Sequence, residues 1–89
     1  MVKTNEIYEE LKQILARLGI IIKRPGGDTP NGLCAVRGRR VLLINRNEPR
    51  QRLPWIIARE LDDEDLAGIF IKPALRDFIN LAKDRKEEF

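Results

Sequence analysis

Leu33-Cys34-Ala35-Val36-Arg37-Gly38-Arg39-Arg40-Val41-Leu42-Leu43-Ile44 is two short apolar runs separated by glycine and arginine. Apolar runs of this length around a glycine read as a β-hairpin. A glycine at the first central position suits a two-residue type II′ turn, so Gly38-Arg39 is the predicted turn. In that register Arg37 faces Arg40, Val36 faces Val41, Cys34 faces Leu43 and Leu33 faces Ile44. Alternation then places Cys34, Val36, Val41 and Leu43 on one face, and Leu33, Ala35, Leu42 and Ile44 on the other. Both faces are apolar, which a sheet with one wet side does not require. One face is expected to receive helices. The other, assigned to Leu33, Ala35, Leu42 and Ile44, is expected to be a self-association surface.

Upstream, Thr4 or Asn5 can cap a helix whose apolar positions Ile7, Leu11, Ile14, Leu15 and Leu18 form one stripe, and Gly19 stands where it should stop. The spacing predicts a helix over 4–18. Ile20-Ile21-Ile22 is a short β-branched strand, and the segment from Pro25 to Gly32 is a loop by composition. It lacks the Gly-Lys-Ser/Thr ending of a phosphate-binding loop. Downstream, Leu53, Ile56, Ile57 and Leu61 mark a second helix, with Pro54 in its first turn. A short helical or irregular segment over 66–71 follows. Pro73 opens a last helix with Leu75, Phe78, Ile79 and Ala82 inward, and 84–89 is a charged tail expected to fray. The expected fold is a single α+β domain over 1–89: an N-terminal helix, a three-stranded sheet with a central β-hairpin, and two C-terminal helices, in the order α-β-β-β-α-α.

The 89 residues include no histidine and one cysteine, Cys34. Histidine-based triads, imidazole proton shuttles, His-metal sites, cysteine zinc clusters and internal disulfides are thereby excluded. No catalytic residue, metal or cofactor is assigned, and the chain is expected not to be an enzyme. Cys34 reads as a small buried hydrophobe, and Tyr8 and Trp55 as core or boundary aromatics. The first ten residues lack the pattern of an export signal, and no apolar run can span a bilayer. A bacterial cytoplasmic location, with no membrane partner, is expected, and the abundance of Lys, Arg and Glu leans towards a thermophilic source.

The net charge of +3 conceals a polarised chain. Residues 23–59 carry nine cations against two acids, a local charge of +7, while residues 60–89 carry five cations against nine acids, a local charge of −4. Arg37-Gly38-Arg39-Arg40 concentrates the basic part, and two arginines opposed across a hairpin repel. A counter-charge would relieve them: the acidic run Asp62–Asp65, a partner protein or a phosphate backbone. Lys23, Arg24, Arg37, Arg39 and Arg40 are therefore the candidate anion- or partner-binding residues, with nucleic acid as the alternative partner. The five aromatics all lie outside the hairpin, so no stacking platform for single strands accompanies the charge. The run Asp62–Asp65 lacks the ligand spacing of a calcium loop and reads as a helix cap.

The strand Val41-Leu42-Leu43-Ile44-Asn45, leading through Arg50 and Arg52 into Ala58-Arg59-Glu60-Leu61-Asp62-Asp63, resembles the ImmA/IrrE-type metallopeptidases. In that family a strand ending in asparagine passes through an arginine-containing turn into a helix bearing His-Glu-x-x-His. The resemblance covers residues 33–63. It places Glu60 at the glutamate and Arg59 and Asp63 at the two histidine positions. A guanidinium repels zinc, so the resemblance implies at most a catalytically dead scaffold, a second alternative to the interaction module.

Overall fold

Helix α1 (Thr4–Arg17) ends as its stripe predicts: Gly19, at φ 74°, turns the chain into strand β1 (Ile20–Lys23). The computed structural model describes residues 4–85. After a loop come β2 (Gly32–Val36) and β3 (Arg39–Leu43), a 3₁₀ turn (Arg50–Arg52), α2 (Leu53–Glu60), the single turn α3 (Asp63–Leu66) and α4 (Pro73–Asp84). Pro54 and Pro73 occupy the first turns of α2 and α4, where a missing N–H costs nothing. The architecture is α+β in the expected order, with α3 and the 3₁₀ turn as additions. Asp84 ends α4, and the tail expected to fray lies from residue 86 onward outside the described residues.

The sheet order is β1-β3-β2, with β1 parallel and β2 antiparallel to β3. β3 is thus the central strand. Leu11, Ile14 and Leu15 of α1, Ile56, Ile57 and Leu61 of α2, Leu66, and Leu75, Ile79 and Ala82 of α4 form one core with Ile20, Leu42 and Ile44 of the sheet side. Among the described residues, no charged or polar one is buried in it. Trp55 and Phe78 close its margin, with ring centroids 4.4 Å apart.

The hairpin differs from expectation by two residues. Its turn is Arg37-Gly38, with φ of 52° and 79°, and the pairs are Val36–Arg39, Ala35–Arg40, Cys34–Val41, Leu33–Leu42 and Gly32–Leu43. Two consecutive positive φ values define a type I′ turn, whose twist matches the flanking strands. A left-handed arginine costs on the order of 1–2 kcal/mol. Against that, this register removes the Arg37–Arg40 opposition and leaves Arg40 free to reach Asp65. A slip of two residues keeps every side chain on its predicted face.

Which face the helices cover is the larger correction. Leu42 and Ile44 lie in the core cluster and Leu33 packs against it, so Leu33, Ala35, Leu42 and Ile44 occupy the helix-covered side. Leu33, Leu42 and Ile44 are not the open surface. Ala35, beyond the reach of the helices, is exposed on the same side. Cys34, expected to be buried, is exposed on the opposite side, because the edge strand β2 has no helix there.

Candidate functional site

The bare side of the sheet carries Ile21, Cys34, Val36, Val41 and Leu43, with Arg39 at one end and Lys23 at the other. Val41, on the central strand, is only 4% exposed although it lies outside the core cluster formed with the helices. Apolarity on both faces of β3 is therefore mostly a property of a central strand. What remains open to solvent is β2: Cys34, Ala35 and Val36 are all exposed, and Val36 is 50% exposed.

The five candidate basic residues do not form one patch. Register pairs Ile20 with Arg40 and Lys23 with Leu43, so Lys23 lies three residues along the sheet from Arg40 and further from the turn, a distance of at least about 10 Å. Arg24 is spent on the backbone: its Nε donates to Ile44 O at 3.0 Å, and Nη2 donates to Asn45 O and Arg46 O at 3.2 and 3.3 Å. Arg40 forms a two-pronged pair with Asp65, Nη1 to Oδ1 at 3.1 Å and Nη2 to Oδ2 at 2.5 Å. Of the counter-charges considered for the tip, the acidic run supplies this one. The hydrogen bond to Asp65, with the nearby charges of Asp65 and Asp62, raises the pKa of Arg40. The same hydrogen bond holds the Asp65 carboxyl below its usual value. Arg37 and Arg39 are exposed and, among the described residues, have no acidic partner within ion-pair distance. Of the five candidates, Lys23, Arg37 and Arg39 thus have no ion pair among the described residues.

A network that sequence reasoning missed joins the two loops at the other end of the sheet. The Asn45 side-chain amide donates to Gly27 O at 2.9 Å and Thr29 O at 2.8 Å, and its Oδ1 accepts from Asn47 N at 2.9 Å. Asn45 N donates to Asn31 Oδ1 at 2.6 Å, and Asn31 Nδ2 donates to Glu48 Oε2 at 2.6 Å. Arg52 Nη1 completes the chain by donating to Glu48 Oε1 at 2.9 Å. Each of these groups is satisfied within the protein, so the network is a clasp fixing both loops rather than a receptive site. The only sequence signal was an asparagine two residues after β3 and a glycine-rich loop.

The segment resembling a metallopeptidase helix does not stay helical. α2 ends at Glu60, and Leu61 and Asp62 are extended, with ψ of 131° and 144°. Arg59 and Asp63 therefore do not lie one turn apart on one helix, the placement that a ligand pair at this spacing needs. Asp62 precedes α3, whose first turn holds Asp63, Glu64 and Asp65, as expected of acids at a helix start. Among the described residues no three potential metal-ligating side chains converge, and no helix is long and apolar enough to cross a membrane. Elsewhere, Phe70 is 83% exposed beside a shallow groove of about 280 Å³ lined by Ile14, Ile69 and Leu75. Lys72, which pairs with Glu10 at 2.7 Å, sits on the groove's rim, and that hydrogen bond and charge raise its pKa. No family model, curated protein or solved structure matches the chain.

Proposed function

We propose that this protein is a non-catalytic interaction module that self-associates through the part of its sheet that the helices leave uncovered. One observation carries the reading: β2 presents Cys34, Ala35 and Val36 to solvent on an uncovered edge strand with no charge among its five residues. Natural edge strands are ordinarily guarded by lysine, proline or a bulge, because an unguarded one recruits other strands. Backbone pairing along such an edge supplies hydrogen bonds that solvent otherwise fills, about 1 kcal/mol net for each. An exposed thiol suits a reducing compartment. Together with the Lys-, Arg- and Glu-rich composition, it supports a cytoplasmic homodimer from a thermophilic bacterium. Sedimentation velocity across micromolar to millimolar concentrations tests the reading: a concentration-dependent shift from monomer to dimer is expected, and a monomer throughout overturns it.

Lys23, Arg37 and Arg39 favour a second reading, in which the bare side meets a nucleic-acid backbone. Phosphate contacts by three cations give an affinity that falls with salt, at a log–log slope of about −2 to −3. Fluorescence anisotropy with duplex and single-stranded probes at low salt separates the two readings, since binding there with no dimer selects the second.

A further inference from the structure

The two edges of the sheet are not equivalent. β1 ends in Lys23, the kind of charge that guards an edge, whereas β2 runs Gly-Leu-Cys-Ala-Val without one. The two-residue turn makes Val36 and Arg39 a mutually hydrogen-bonded pair, and alternation makes Cys34–Val41 and Gly32–Leu43 the next such pairs. The N–H and C=O groups of Leu33 and Ala35 consequently point away from β3, to the outer side of the sheet. We infer that the second copy docks on this edge, β2 against β2 in antiparallel register about a two-fold axis at Cys34, making a continuous six-stranded sheet. This rests on the self-association reading and names the contact that would produce it.

Two arguments favour this arrangement over face-to-face stacking. The first is backbone matching. With Cys34 opposite its own copy, Leu33 of one chain opposes Ala35 of the other, so the outward groups of both strands meet as hydrogen-bonded pairs. The two Cys34 residues then form the intervening close pair, Cα atoms about 4.5 Å apart. The second is charge. Stacking the bare faces would bring Lys23 and Arg39 of both copies into one small interface, a like-charge contact. Edge pairing separates the two Arg37 side chains by about 20 Å along the strand. It also sets each beside the other copy's Asn31, which is bonded to the Glu48 carboxylate.

Ala35→Pro isolates the edge. The proline removes an N–H that points outward, so the ladder to β3 survives. The full chain and this variant are compared by sedimentation equilibrium, with the Tm checking that the variant folds. A loss of dimer affinity of at least about 30-fold is expected, equivalent to about two lost backbone hydrogen bonds. Val36→Asp, which would abolish stacking of bare faces, should change affinity only a few-fold. Cys34 gives a readout independent of the proline. Under diamide, two Cys34 thiols lose two protons and two electrons to the reagent and form one disulfide. The wild type should cross-link readily, whereas Val36→Cys in a Cys34→Ser background should not, because its thiols lie about 14 Å apart in this register, beyond disulfide reach. A dimer insensitive to Ala35→Pro, or equal cross-linking at 34 and 36, overturns the edge arrangement while leaving self-association standing. A wild type that is monomeric throughout overturns both.

Discussion

Replacing Asp65 with asparagine probes how the hairpin is held to the helical layer. The Arg40–Asp65 pair spans 25 residues of sequence and joins β3 to α3 by two hydrogen bonds. Two-pronged, charge-assisted bonds are stronger than ordinary surface pairs. The Arg40 side chain is 37% exposed and that of Asp65 21%, so solvent screening discounts the gain. About 1 kcal/mol of coupling is expected from a double-mutant cycle of Arg40→Ala and Asp65→Asn in urea denaturation, with a drop of about 4–8 °C in Tm for the asparagine variant. The coupling should also depend on pH. Because folding lowers the Asp65 pKa from its ordinary value of 3.8, the unfolded chain takes up the proton first. The stabilisation is present above that ordinary value and is lost as pH falls through the lower folded one. A cycle energy below about 0.3 kcal/mol at neutral pH, or one unchanged on acidification to below the folded value, would refute the reasoning.

Arg37→Asn creates Asn-Gly, the favoured type I′ pair, and should stabilise the fold by about 0.5–1 kcal/mol; urea midpoints showing no gain would argue for a turn at Gly38-Arg39. Ile79→Ala empties a fully buried position on α4 and should cost about 2–5 kcal/mol by the same measurement. Asn45→Ala removes three side-chain hydrogen bonds and leaves two loop carbonyls without their donor. It should cost about 1–3 kcal/mol and speed hydrogen exchange selectively in residues 26–31 and 45–48, whereas uniform exchange changes would dismiss the clasp.

What could be read from residues alone follows the range of the forces. Leu11, Ile14 and Leu15 on α1, and Leu75, Ile79 and Ala82 on α4, declare their helices by local periodicity, and all are buried. The hairpin was legible too, but glycine fits either central position of a two-residue turn. The observed Arg37-Gly38 turn sets Arg39 against Val36 and Arg40 against Ala35, so no two arginines are opposed, and the apolar pattern reads the same in either register. The choice of covered face was illegible for a related reason. Leu42 and Val41 are equally apolar and both buried, yet only Leu42 belongs to the core cluster formed with the helices. The clasp through Asn31, Asn45 and Glu48 joins two loops whose composition predicts only that they are loops.

The polarised charge of the chain takes a simple form once these contacts are traced. Arg24 is held by backbone carbonyls, Arg40 by Asp65, and Arg52 by Glu48. The basic middle of the chain is thus partly consumed in internal contacts, while Lys23, Arg37 and Arg39, all exposed, have no ion pair among the described residues. These three lie at the ends of the strip, not along the outer edge of β2. A partner laid flat across the face must meet Lys23 and Arg39, and another copy of this chain would bring two more. A partner added at the edge meets uncharged backbone and passes Arg37 to a neutral asparagine backed by a carboxylate. The distribution of charge therefore discriminates between two ways of covering the same apolar residues, and it favours extension of the sheet over stacking on it.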